Sequence, residues 1–165
     1  MKKIGSANPV QDSTRDETKP LVLYVEDEVE NWQITQMRLR NRYDLVRAAD
    51  DREACEKARE IGSKLHAVLM DIQLKGSKLD GIALCKLFKG KLPPEQAKDL
   101  PPYAQGVPQL EAPLFFVTAY GARYKEEELK EAGGTWLITK PVDFVRLNLA
   151  LANVSAKAAL SLLER

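Results

Sequence analysis

Glu26-Asp27, Asp71, Thr118 and Lys140 are an acid pair, a lone acid, a hydroxyl and an ammonium, and each stands at or just past the end of a short apolar run. Carboxylates are hard oxygen donors for a divalent cation, an ammonium neutralises anionic oxygens, and a hydroxyl donates one further hydrogen bond. Together these residue types make a site for a phosphate and a metal ion. The runs are Leu21–Val25, Ala67–Met70, Leu114–Val117 and Trp136–Thr139, rich in β-branched and aromatic side chains. They read as buried parallel strands. In an open parallel sheet the ligand crevice lies beyond the carboxyl ends of the strands, so groups that follow four separate runs converge there.

Strand signals at 21–25, 43–48, 66–70, 113–118 and 135–139 alternate with helical signals at 28–42, 51–61, 80–89, 122–132 and 142–153. This alternation predicts a doubly wound α/β domain, (βα)5, with helices on both faces of a parallel sheet. Residues 1–19 carry too few apolar side chains to offset the entropy of ordering them, and a flexible tail is expected. Residues 154–165 are expected to form a short helical extension. Residues 90–113 hold six of the nine prolines, which excludes a regular helix or central strand across the segment. Because this proline-rich insertion precedes a strand, it is expected at the amino pole of the sheet, away from the acidic crevice.

A chain of 165 residues suits one domain, here 20–153. Lys+Arg of 25 against Asp+Glu of 24 gives a net charge of +1, which lacks the basic footprint of a nucleic-acid or anionic-membrane partner. No apolar run approaches a membrane span and the first twenty residues contain no signal-peptide core, so a cytoplasmic protein is expected. Cys55 and Cys85 have neither metal nor redox spacing and are expected to be buried thiols. His66 is the sole histidine, which leaves no His-rich metal centre; it is expected at a strand entry.

Taken singly, the site residues are ambiguous. Glu26-Asp27-Glu28 serves equally as an acidic helix start, and Asp71 as a turn or cap. Their joint placement gives each a task. Mg²⁺ takes one or two carboxylates from a protein and keeps several waters, which Asp27 and Asp71 suit, with Glu26 reaching a metal-bound water. A carboxylate beside such an ion can accept a phosphoryl group. Lys140 suits the phosphoryl oxygens and Thr118 a further hydrogen bond to them, while the turn at Lys140-Pro141 would aim the lysine inward.

These residues resemble the receiver domain of two-component response regulators over about residues 20–153. The resemblance rests on Leu-Tyr-Val-Glu-Asp-Glu, Val-Leu-Met-Asp-Ile, Phe-Val-Thr-Ala and Ile-Thr-Lys-Pro, in the family's order. It implies a flavodoxin-like fold with strand order 2-1-3-4-5. It also implies that Asp71 is the phosphoacceptor, Glu26 and Asp27 the acid pair, Gln73 a backbone-carbonyl Mg²⁺ ligand, Thr118 the switch hydroxyl and Lys140 the phosphate-binding lysine. The donor implied is a histidine kinase or histidine phosphotransfer protein, and the output a protein target that docks on the face built from 122–132, 135–139 and 142–153. Such a chain is a signalling module and not a turnover enzyme. Two departures stand out: the loop after the acceptor delays Asp80-Gly81 by two residues and lacks the usual proline, and Leu137 occupies a position often held by Tyr or Phe. The competing readings are a pseudo-receiver serving as a scaffold and a Mg²⁺-dependent phosphatase with an aspartyl-phosphate intermediate; the latter lacks a second acid near Asp71, where Gln73 stands.

Overall fold

A computed structural model describes residues 18–163. Residues 1–17 of the expected tail and residues 164–165 lie outside the described residues. Five parallel strands, β1 (Leu21–Val25), β2 (Asp44–Ala48), β3 (Leu65–Asp71), β4 (Leu114–Thr118) and β5 (Trp136–Thr139), form one sheet in the order β2-β1-β3-β4-β5. The helices are α1 (Val29–Leu39), α2 (Asp51–Ile61), α3 (Gly81–Phe88), α4 (Pro94–Lys98), α5 (Glu126–Ala132) and α6 (Phe144–Leu163). The α/β class, parallel sheet and strand order expected of the sequence are all present.

Both faces of the central strands are covered, which is why they read as continuous apolar runs. Successive side chains of a strand point to opposite faces, so Leu21, Leu23 and Val25 join one core while Val22 and Tyr24 join the other. The first core is closed by Ala54, Cys55 and Ala58 of α2, Leu84, Cys85 and Phe88 of α3, and Leu129 and Ala132 of α5. The second is closed by Trp32 and Leu39 of α1 and by Leu147 and Leu151 of α6. Trp32 is thus packing, with its ring 6.3 Å from that of Tyr24. Cys55 and Cys85 are free and buried. His66 is the second residue of β3, at the strand entry as expected, where its Nε2 meets the Leu151 carbonyl and Ser155 Oγ, each at 3.2 Å.

Two helices differ from expectation. The helix predicted over 122–132 begins at Glu126, preceded by a 3₁₀ turn at Gly121–Arg123, because Glu126, Glu127 and Glu128 together occupy the positive end of the helix dipole. It stops at Gly133, whose φ of 108° permits the N–H of Gly134 to reach the Leu129 carbonyl at 2.9 Å. The helix predicted over 142–153 runs without a break from Phe144 to Leu163, absorbing most of the expected extension. No proline or glycine interrupts that stretch, and Val154 packs on the sheet. Among the described residues no helix is long and apolar enough to cross a membrane.

The proline-rich insertion corrects the sequence reading. Its two ends do lie at the amino pole: Leu110 N–H donates to the Phe88 carbonyl at 2.8 Å, and Lys89 Nζ donates to the carbonyls of Leu110 (3.1 Å) and Ala112 (2.6 Å). Between them the chain climbs along α2. Leu110 faces Gly62 just past the end of α2, the Gln105 carbonyl accepts from Arg59 at 2.7 Å, and Tyr103 packs under Arg52. Eleven residues of α-helix span about 16 Å, so the insertion crosses the domain to the carboxyl pole, and prolines 93, 94, 101 and 102 set two short helical turns on the way. The packing of Leu100, Tyr103, Ala104, Val107 and Leu110 on the core holds it there. It is not confined to the pole opposite the crevice.

Candidate functional site

Glu26 and Asp27 follow β1, Asp71 ends β3, Thr118 ends β4 and Lys140 follows β5. Parallel pairing aligns these ends: Val25 pairs with Met70, Asp71 with Val117, and Thr118 with Thr139. The Lys140 N–H donates to the Thr118 carbonyl at 2.8 Å, and the Lys140–Pro141 bond is cis. Lys140 Nζ then reaches over β4 to donate to Asp71 Oδ2 at 2.9 Å and Glu26 Oε2 at 2.8 Å. One oxygen from each of Glu26, Asp27 and Asp71 lies within 4.8 Å of the others.

Glu26 is fully buried. Its cost of burial is offset by four hydrogen bonds, from Lys140, from the Tyr24 hydroxyl (3.0 Å), from the Glu28 N–H (3.1 Å) and from Asn31 Nδ2 (3.4 Å). Arg47 holds the turn beneath it, donating to the carbonyls of Glu26 at 3.1 Å and Asp27 at 3.0 Å. Asp27 Oδ2 accepts from the Lys75 N–H at 3.0 Å, which ties the acid pair to the loop after Asp71. That loop closes because Gly81 donates to the Ile72 carbonyl at 2.8 Å, and a Cβ at Gly81 would overlap the Asp71 backbone.

Three carboxylates cluster here and two of them, Glu26 and Asp71, share the Lys140 ammonium. Burial raises the Asp71 carboxyl to about 6, the hydrogen bond from Lys140 opposes this, and the charges of Glu26 and Asp27 add to it. Burial works to lower the Lys140 ammonium, but its hydrogen bonds to Glu26 and Asp71 outweigh burial and it ends above its ordinary value. Burial, followed by the Glu26 charge, pushes the Tyr24 phenol far up, so it remains a donor. A cluster of hard oxygen donors with excess negative charge fits a divalent cation such as Mg²⁺.

No protein-family model and no curated protein sequence matches the chain. Solved structures do. A Francisella response regulator receiver domain matches with a TM-score of 0.65 at 18% identity, covering 85% of this chain and 99% of that one. The Vibrio cholerae chemotaxis protein CheY4 matches with a TM-score of 0.63 at 23% identity, covering 82% and 98%. The fold is that of response-regulator receiver domains. NtrX from Brucella abortus matches with a TM-score of 0.63 at 25% identity, and there the receiver fold of this chain covers 88% of its own length but 29% of that protein.

Within this receiver fold, Glu26, Asp27, Asp71 and Lys140 form one contiguous cluster. Thr118 is fully buried beside it, its Oγ1 accepting from the Tyr120 N–H at 3.2 Å. Gln73 lies two residues past Asp71 with an exposed side chain. Leu137 packs on the core next to Trp136, which is 56% exposed. Tyr24 and Arg47 escaped the sequence reading although signals for both exist. Tyr24 stands two residues before Glu26, on the same side of the chain by strand alternation. Arg47 is a charged residue inside a strand, paired in register with Tyr24.

Proposed function

We propose that the chain is a phosphoacceptor module of a two-component relay, with Asp71 as acceptor, and that it acts by changing protein–protein contacts and not by substrate turnover. The observation that carries this reading is the convergence of Lys140 on Asp71 and Glu26 at the carboxyl end of a receiver sheet. In the proposed transfer an Asp71 oxygen attacks the phosphorus of a phosphohistidine on a kinase or phosphotransfer protein. A P–O bond forms, the P–N bond breaks, and the imidazole leaves with its electron pair. Asp71 must be ionised to attack, and a carboxyl titrating near 6 meets that condition at neutral pH.

Asp27 and Asp71, with the Gln73 carbonyl, would hold Mg²⁺, and Glu26 completes the acidic cluster. When bound, the ion supplies positive charge against the phosphoryl oxygens. Lys140 is placed to exchange its pairing with Asp71 for the phosphoryl oxygens while Glu26, locked by Tyr24 and Asn31, keeps the ammonium in position. Thr118 is one residue beyond the partner of Asp71 on the adjacent strand, within the element that would respond to the new group. The surface formed by α5, β5 and α6 exposes Trp136, Val145 and Leu149 and is the proposed docking face for the downstream protein. The experiment is a titration with Mg²⁺ and fluoroberyllate, a phosphoryl mimic, followed by backbone amide shifts. Joint binding should perturb Asp71, Thr118 and Lys140, and the pattern should be absent in Asp71→Asn; independent binding, or binding elsewhere, would refute the reading.

A further inference from the structure

The two segments that distinguish this chain from the receiver pattern, the lengthened 72–80 loop and the 90–113 insertion, meet at one buried carboxylate. Asp51 opens α2 and is 3% exposed. It is not needed as the cap, because Asp50 accepts from the Glu53 N–H at 2.8 Å and Glu53 accepts from the Ala49 N–H at 2.7 Å. Asp51 instead serves the acceptor loop. Its Oδ2 accepts from the N–H groups of Lys78 and Leu79, each at 3.1 Å, and its own N–H donates to Ser77 Oγ at 3.0 Å. The third donor to Oδ2 is the Tyr103 hydroxyl, carried in by the insertion. Burial and the hydrogen bond to Asp51 raise the phenol, which keeps its proton, and the Arg52 guanidinium lies 4.8 Å over the ring.

At its other end the same loop is tied to the acid pair through the Lys75 N–H and Asp27. The insertion has its own anchors at Lys89, Arg59 and Gln109, so the Tyr103 hydroxyl is not required to hold the insertion in place. Its consequence falls on the loop. A charge-assisted bond in a partly buried site is about twice as strong as a neutral one, and here it restrains a carboxylate whose other bonds run to the N–H groups of Lys78 and Leu79 and to the adjacent N–H of Arg52.

We propose that Tyr103 is a positioning residue: the proline-rich insertion delivers its hydroxyl to Asp51, and this brace fixes the loop that carries Gln73 and Lys75 beside Asp71. The importance of that loop for phosphoryl transfer rests on the function proposed above, but the brace is measurable without it. Tyr103→Phe keeps the ring over Arg52 and removes only the hydroxyl. In the full chain, with neither metal nor phosphodonor present, the amides of Lys78 and Leu79 should exchange about tenfold faster than in wild type, the loss of one such bond, while those of β1 and β3 keep their protection. Ser77→Ala, which loosens the same loop from its other side, should give the same pattern, and the two effects should not add. Mg²⁺ binding, read by amide shifts, should weaken severalfold in Tyr103→Phe. Unchanged exchange at Lys78 and Leu79, a uniform rise across all strands, or Mg²⁺ affinity equal to wild type would each overturn the proposal. Failure of wild-type Asp71 to accept a phosphoryl group would instead count against the proposed function and leave the exchange result standing.

Discussion

Lys140 Nζ stands 2.9 Å from Asp71 Oδ2 although β4 lies between their strands. Strands are spaced about 4.8 Å apart, so the contact requires a long, flexible side chain that leaves the sheet just past its end and folds back over one strand. The same ammonium meets Glu26 at 2.8 Å. A single cation therefore joins the ends of β1, β3 and β5.

Neutralising Asp71 should stabilise the metal-free protein. A carboxyl raised to about 6 in the folded state holds a proton there that the unfolded chain has released, so its contribution is present below pH 3.8 and lost as the pH rises through 6. Asp71→Asn should raise stability at pH 7 by about 3 kcal/mol, at ~1.36 kcal/mol per pKa unit, with little gain at pH 4. Urea unfolding at the two pH values, in chelator, measures both; an equal or lower midpoint at pH 7 would contradict the electrostatics.

Removing Lys140 should do the opposite. Lys140→Ala leaves Glu26 fully buried beside Asp71 with no cation, and breaking a buried pair from one side costs about 3–5 kcal/mol. The loss should shrink in an Asp71→Asn background. Thermal or urea unfolding of the two single variants and the double variant gives the coupling.

The crevice was legible because parallel topology itself gathers strand ends: once four runs read as strands, Asp71, Thr118 and Lys140 had to approach one another. The supports beneath it were less so. Tyr24 reads as a core aromatic until Glu26 is known to turn inward, and Arg47 as an edge-strand charge until its two carbonyl partners are seen. The course of the insertion was not legible at all. Prolines dictate local backbone geometry, not the surface against which it packs, and no pattern pairs Tyr103 with an aspartate 52 residues earlier. The length of α6 was missed for a different reason: Ala- and Leu-rich sequence after residue 153 continues a helix as readily as it starts a new one.

Thr118→Ala should separate chemistry from output. The hydroxyl makes no bond to Asp71 or Lys140, and its backbone carbonyl already holds the Lys140 N–H. Labelling of Asp71 by a small-molecule phosphodonor should stay within a few-fold of wild type, while the phosphorylation-dependent shifts of α5, β5 and α6 should fall sharply. Full retention of those shifts would remove Thr118 from the switch.

Thiol chemistry tests the packing independently. Burial pushes Cys55 up to about 11 and Cys85 up to about 12, and the reactive species is the thiolate. At pH 8 both should react slowly with a maleimide in the native protein and rapidly in urea, read by mass. Fast native labelling of either would place α2 or α3 wrongly against the sheet.

Mapping of the phosphoryl group tests the central claim most directly. The chain is incubated with Mg²⁺ and a small-molecule phosphodonor, digested in acid and sequenced by mass spectrometry. The account predicts a modification on Asp71 that survives acid, is released by hydroxylamine, requires Mg²⁺ and disappears in Asp71→Asn. A modification on another residue, or none on Asp71 in a folded protein that binds Mg²⁺, would contradict it.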